Sequence, residues 1–360
     1  MEISKRIIGF DLARAYAIFG MYIVNFNIVF GNYYDTSLSG KFLSVFSGNS
    51  STTFVMLAGM GIAIMSNRTN FTTEEKRNLR KKINKRALFL FVLGVLFCLW
   101  WPADILHFYG GYMYFAAFLL FVDKKYYLLL AALAIFIFHC LIILIPYQTG
   151  WNFDKLQYID FWTVNGFIRN TFYNGWNSVF PWLAYFTVGM YLGRLNWSSS
   201  DTLFRIFVAG IILFGPISVL QMLSYSLPIS DDLQFFINAD YLPPFLPFIL
   251  STTGFGMILI VFFMFLGKFI AQTKIAQYLA LTGQMTLTHY ISHLTIGMLF
   301  FSLLTGMKYE GKMNDHQTVS PLVIFTFSSI YFIISAIFSV LWMRKYKYGP
   351  FELLMRKIAG

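Results

Sequence analysis

The sequence predicts an all-α fold: a polytopic transmembrane helix bundle of about ten spans, both termini cytosolic, forming one integral-membrane domain over 1–360. Three observations lead there. Hydrophobic residues make up 58% of the chain and charged residues 12%, far from the balance of a soluble domain. The apolar residues come in continuous runs long enough to cross a bilayer at about 1.5 Å of helical rise per residue. The basic residues fall on alternate loops, so the net charge of +11 marks topology rather than a nucleic-acid partner.

Taken in order, the spans are expected near 7–30, 45–66, 87–101, 105–122, 126–146, 179–195, 203–225, 245–267, 278–304 and 320–343. The first is longer than a signal-peptide core and lacks a small-residue cleavage site, so it reads as a retained helix. Between the second and third lies a basic loop, 67–86, NRTNFTTEEKRNLRKKINKR, the strongest topology marker. With that loop inside, 21 of the 27 Lys and Arg side chains are cytosolic and five are outside: Lys41, Lys155, Arg169, Lys308 and Lys312. Lys5 and Arg6 count among the inner ones, and Arg14 sits within the first span. The outer stretch 147–178 mixes aromatics with Asn, Asp and a lone Arg169, which suits either a lid over a polar ligand or an aromatic membrane belt. A second outer stretch, 226–244, carries Asp231, Asp232, Asp240 and Pro243-Pro244 and could wall the same vestibule. Cys98 and Cys140 lie in apolar runs and read as small hydrophobes. The glycines of AGMGIAIM and VGMYLG read as close helix packing.

Polarity inside the spans singles out the candidate chemistry. Asp11 and Arg14, three residues apart, are a candidate ion pair on one face of the first helix; near the headgroups the same pair would only fix register. Asn25 stands at the far end of that helix. His289 and His293, at i and i+4 in LTGQMTLTHYISHLTIG, share a face of the ninth span. His107 follows an outer turn, with Asp104 three residues before it to orient the imidazole. A proton-accepting histidine with an amide donor is what acyl transfer requires, the base activating a hydroxyl or amine and the amide holding the oxyanion. Each histidine could equally make a packed interhelical hydrogen bond. His139 beside Cys140 reads as structural and His316 as solvated. No metal is expected, because the His pair lacks an HExxH pattern and a third ligand of matching spacing.

Five segments in order, FDLARAYAIFGMYIVNF, DILHFYGG, FPWLAYFTVGMYLGRL, LTGQMTLTHYISH and FSVLWMRKYKYGPFELLMRK, resemble the YeiB-like bacterial inner-membrane proteins nearly end to end. The first and third also resemble the heparan-alpha-glucosaminide N-acetyltransferase group. That resemblance implies a transmembrane acyltransferase taking acetyl or another acyl group from cytosolic acyl-CoA to an extracytoplasmic glycan or small-molecule acceptor. Asn25 matches the Asn closing that group's first span. CoA would enter near Asp11, Arg14 and 67–86, with membrane lipids as the other partner. The group is expected to use a histidine in the following loop, but no residue between Phe26 and Leu106 is His, so His107 or His293 must substitute. The alternatives are a secondary transporter of a small organic solute or lipid, which would use the same charges, and a non-catalytic membrane subunit. A homo-oligomer is compatible with any of these.

Overall fold

A computed structural model describes residues 7–68, 70–307 and 318–360. Lys5, Arg6, Lys308 and Lys312 of the topology count, and His316, lie outside the described residues. The fold is helical. In chain order the elements are α1 (Ile8–Phe30), α2 (Leu38–Ser44), α3 (Asn49–Met65), α4 (Thr73–Phe97), α5 (Leu106–Leu119) and α6 (Lys125–Leu144). A two-stranded hairpin, β1 (Trp151–Asn152) and β2 (Gln157–Tyr158), then leads to α7 (Val164–Arg169) and a π turn, Asn170–Asn174. There follow α8 (Val179–Leu192), α9 (Ser200–Ser224), α10 (Asp231–Ile237) and α11 (Leu246–Ile270). The last part comprises α12 (Lys274–Gly283), α13 (Thr286–Ser292), a second π turn (His293–Gly297), α14 (Met298–Thr305), α15 (Pro321–Met343) and α16 (Pro350–Ala359).

Among the described residues, six helical segments are long and apolar enough to cross a membrane: α1, α6, α9, α11, the run Thr286–Thr305, and α15. This makes the chain a multi-pass membrane protein. Of the other expected spans, α3, α5 and α8 are helical but shorter, at 17, 14 and 14 residues. The fourth corrects the sequence reading. Residues 67–86 were expected to be a loop, yet from Thr73 they are the first half of the 25-residue α4. The reason is local: Thr72 and Glu75 form a capping box, the Glu75 N–H donating to Thr72 Oγ1 at 3.2 Å and the Thr72 N–H to Glu75 Oε2 at 2.8 Å. The Lys, Arg and Leu residues that follow are good helix formers.

The chain divides into two compact units. The first comprises described residues within 1–54, 203–210 and 255–354. Here α1 is surrounded, burying residues on every face, with α12 and α15 packed along it. The approach of α12 depends on Gly283, whose missing Cβ would run into the carbonyl of Asp11. Aromatic contacts fill the other end: Phe30 stacks on Phe301 at 4.3 Å, and Tyr22 meets Tyr331 edge-on at 5.1 Å.

The second unit comprises 55–202, 211–254 and 355–360. The glycine expectation holds there: added Cβ atoms at Gly59 and Gly189 would strike the carbonyls of Phe186 and Met56, so α3 and α8 touch backbone to backbone. Just past α8, Arg194 gathers the C-terminal ends of two helices. Its guanidinium donates to the Ser66 carbonyl at 2.7 Å, to Ser66 Oγ at 2.8 Å and to the Leu120 carbonyl. A cation at helix C-termini satisfies carbonyls that have no partner in their own helix. Replacing Arg194 with Ala leaves those acceptors unpaired, and a loss of about 2–4 kcal/mol is expected. Thermal unfolding in detergent should show a fall of several degrees for R194A and a smaller one for R194K.

Candidate functional site

Asp11, Arg14 and Asn25 of α1 find partners within the first unit. Near its start, Arg14 Nη1 lies 2.7 Å from Asp11 Oδ1, Asp11 being buried and Arg14 partly open. The other carboxylate oxygen of Asp11 receives Gln284 Nε2 at 3.4 Å. Gln284 belongs to the break between α12 and α13, which interrupts what the sequence presents as one continuous ninth span.

A break in an apolar helix exposes N–H groups that need acceptors. Glu352, at the start of α16, supplies them: Oε1 accepts from the Leu287 and Thr288 amides at 2.7 and 3.2 Å, and Oε2 from the Thr288 hydroxyl. The carboxylate also complements the positive end of α13. Burial pushes the Glu352 carboxyl above its ordinary value, against the pull of these donors.

Beyond the break, both histidines are buried, and their hydrogen bonds fix their tautomers. Ser339 Oγ gives its proton to the Ser335 carbonyl at 2.8 Å, so at 2.8 Å from His289 Nε2 it accepts and His289 donates. His289 is thereby a structural tie to α15. His293 opens the π turn, whose i to i+5 bond joins the Met298 N–H to the His293 carbonyl. Its Nδ1–H donates to the His289 carbonyl at 3.0 Å. Nε2 is then a lone-pair acceptor, and Asn25 Nδ2 donates to it at 2.8 Å. Tyr22, Phe26 and Tyr290 surround the imidazole with ring centroids at 5.0, 6.2 and 5.6 Å. His293 is fully buried while Asn25 is half-buried.

His107 and Asp104 belong to the second unit. His107 Nδ1 is 3.2 Å from Asp104 Oδ2, which also accepts the Leu106 and His107 amides at 2.8 and 3.2 Å. Asp104 therefore starts α5 as well as orienting the ring. Cys98, expected to be a small hydrophobe, packs with Trp151, Tyr158 and Phe161, yet its Sγ is also 3.8 Å from His107 Nδ1. His139 is structural, its Nδ1–H donating to the Ile135 carbonyl at 2.8 Å.

The aromatic stretch 147–178 is tied up internally. Arg169 is not lone: it grips both oxygens of Asp160 at 2.8 and 2.7 Å. Asn174, closing the first π turn, accepts from Tyr158 at 2.6 Å and donates to the Tyr147 and Thr149 carbonyls at 2.7 and 2.9 Å. Burial pushes the Tyr158 hydroxyl up to about 12 despite Arg169 beside it, which keeps it a donor. The second outer stretch does meet the first, through the Tyr241 hydroxyl donating to Asn177 Oδ1 at 3.0 Å. Its Asp231 and Asp232 open the short helix α10.

Sequence reasoning missed Ser335, Ser339 and Glu352. The serines stood in plain view as two hydroxyls at i and i+4 in the last apolar run. Glu352 offered no local signal, since its partners lie more than 60 residues earlier in the chain.

Two family models match the chain. One, described as heparan-alpha-glucosaminide N-acetyltransferase, catalytic, covers residues 6–229. The other, described as protein of unknown function (DUF418), covers 191–360. No curated protein matches. Asn25, Asp104 and His107 fall in the first match, His289, His293 and Glu352 in the second.

The capping role of Glu352 has a measurable consequence. Glu352→Ala strands two buried amides and a hydroxyl, and about 2–4 kcal/mol of destabilisation is expected. Unfolding of the detergent-solubilised protein should move to lower temperature in E352A, with E352Q intermediate because one acceptor oxygen remains.

Proposed function

The chain belongs to the heparan-alpha-glucosaminide N-acetyltransferase catalytic family, and from that premise we propose that it is a transmembrane acyltransferase of the bacterial cytoplasmic membrane. It moves an acetyl or related acyl group from cytosolic acyl-CoA to a glycan or similar acceptor outside. In this reading the bundle has about ten spans, with both termini and the basic start of α4 in the cytosol. Asp11 and Arg14 lie toward the CoA side.

The observation that carries the reading is the hydrogen bond between Asn25 Nδ2 and His293 Nε2. It holds a neutral imidazole with its basic nitrogen toward an amide, and the His289 carbonyl fixes the other ring nitrogen. The acceptor's hydroxyl or amine replaces the Asn25 N–H at Nε2 and gives up its proton there as its oxygen or nitrogen attacks the thioester carbonyl. Asn25, released from the imidazole, donates to the oxyanion of the tetrahedral intermediate. Collapse breaks the carbon–sulfur bond, and the imidazolium returns the proton to the departing CoA thiolate. His293 is the general base and Asn25 the oxyanion donor. His107 and Asp104, hydrogen-bonded to each other and to the start of α5, are not needed for any of these steps.

The test is transfer of labelled acetyl from acetyl-CoA to glucosamine in proteoliposomes, alongside acetyl-CoA binding by thermal shift. His293→Gln should lower kcat by about 10²–10⁴ and Asn25→Ala by about 10²–10³, with acetyl-CoA binding retained. Undiminished transfer in both variants would overturn the assignment, and no shift at millimolar acetyl-CoA would overturn the reaction class.

A further inference from the structure

The buried cluster in the second unit is built from three kinds of metal-ligating side chain. Cys98 Sγ, a carboxylate oxygen of Asp104 and a ring nitrogen of His107 all lie within 4.8 Å of one another, and all three residues are buried. We propose that Cys98, Asp104 and His107 bind one divalent transition-metal ion, zinc by preference, through Sγ, a carboxylate oxygen and Nδ1.

Two of the three ligand separations agree with that use. Zinc bonds of about 2.3 Å to sulfur and about 2.0–2.2 Å to nitrogen and oxygen, at tetrahedral angles, set the ligand atoms about 3.4 Å (N to O) and about 3.6 Å (S to N) apart. The corresponding separations here are 3.2 and 3.8 Å. The donors are also held in place beforehand. Two backbone amides fix the Asp104 carboxylate, an arrangement that orients a ligand in metal sites. Gly94 leaves room for it, since an added Cβ would meet Asp104 Oδ2 and the His107 amide. Trp151, Tyr158 and Phe161 pack around Cys98 in one buried cluster.

Charge makes a cation favourable. A thiolate, a carboxylate and a neutral imidazole around a divalent ion sum to zero, the cheapest arrangement of ions in an apolar interior. On binding, the Cys98 thiol releases one proton to solvent, and the proton on His107 Nδ1 passes to Nε2, which has no hydrogen-bond partner among the described residues. The mixed sulfur, nitrogen and oxygen donors fit a borderline ion better than magnesium or calcium. Three protein ligands leave a fourth position for a water or another small donor.

The test is metal analysis of the full-length protein purified without chelator, followed by Co²⁺ titration of chelator-stripped protein read by absorption. About one zinc per chain is expected, and Co²⁺ should give a thiolate charge-transfer band with the intense d–d bands of a tetrahedral site. C98S should lose the charge-transfer band and C140S should keep it. H107Q and D104N should weaken Co²⁺ binding more than 100-fold; Asn at 104 can still accept the α5 amides, so the helix start survives. Unchanged thermal unfolding of metal-stripped C98S separates a lost ligand from a lost fold. Absence of a thiolate band in the wild-type protein, or its persistence in C98S, would overturn the proposal.

Discussion

A side-chain amide donating to a buried imidazole, Asn25 to His293 at 2.8 Å, is the contact on which the candidate site rests. In an apolar bundle neither group can be left unpaired without cost, so each constrains the helix that carries it. The consequence reaches past the pair. His293 offers Nε2 because Nδ1–H is committed to the His289 carbonyl, and His289 is itself moored to Ser339 of α15. Three elements, α1, the α13 segment and α15, are thereby registered against one ring. In the proposed reaction this oriented imidazole takes a proton when a substrate group replaces the amide.

The chain has to interrupt its helix to bring that ring into place. A continuous helix over the expected span 278–304 would satisfy the backbone groups between its ends and is what the hydropathy suggests. Instead α12 ends at Gly283, α13 begins at Thr286 and a π turn starts at His293. Each departure leaves polar backbone to be satisfied, and Glu352 meets that need at the start of α13. Insertions of the π type recur at functional positions because the extra residue shifts the side chains that follow. The other π turn of the described residues cautions against reading the feature alone. Asn170–Asn174 ends in a residue whose amide is consumed in bracing the aromatic stretch 147–178. What separates the two is the partner: an imidazole in one case, fixed carbonyls and a phenol in the other.

The helical class, the placement of six apolar spans and the polar side chains of Asn25, His289 and His293 within them were legible in the sequence, because polarity in a long apolar run is conspicuous. The pairing of Asn25 with His293 was not, as it spans 268 residues and depends on packing. The basic stretch 67–86 was misread for a different reason. Charge density there masked a helix start that the Thr72 to Glu75 spacing announces. Arg169 looked solitary because its partner Asp160 lies nine residues away across a turn rather than at helical spacing. Cys98 was judged by its apolar neighbours in sequence, whereas its surroundings include a carboxylate and an imidazole brought close by the turn after α4.

The two family matches meet at this geometry. The acetyltransferase catalytic model ends at residue 229 and so includes Asn25 but not His293. His293 lies in the match to the family of unknown function, from 191 to 360. A chain with no histidine between Phe26 and Leu106 can still pair its first-helix amide with an imidazole, provided the imidazole comes from the C-terminal part. The elements that put it there, the break at 284–285 and the Glu352 cap, lie entirely within that part. The N-terminal part thus contributes the amide, and the C-terminal part contributes the imidazole together with the break and the cap that precede it. In the proposed reaction, residues matched by the second family model are therefore as necessary as those matched by the first.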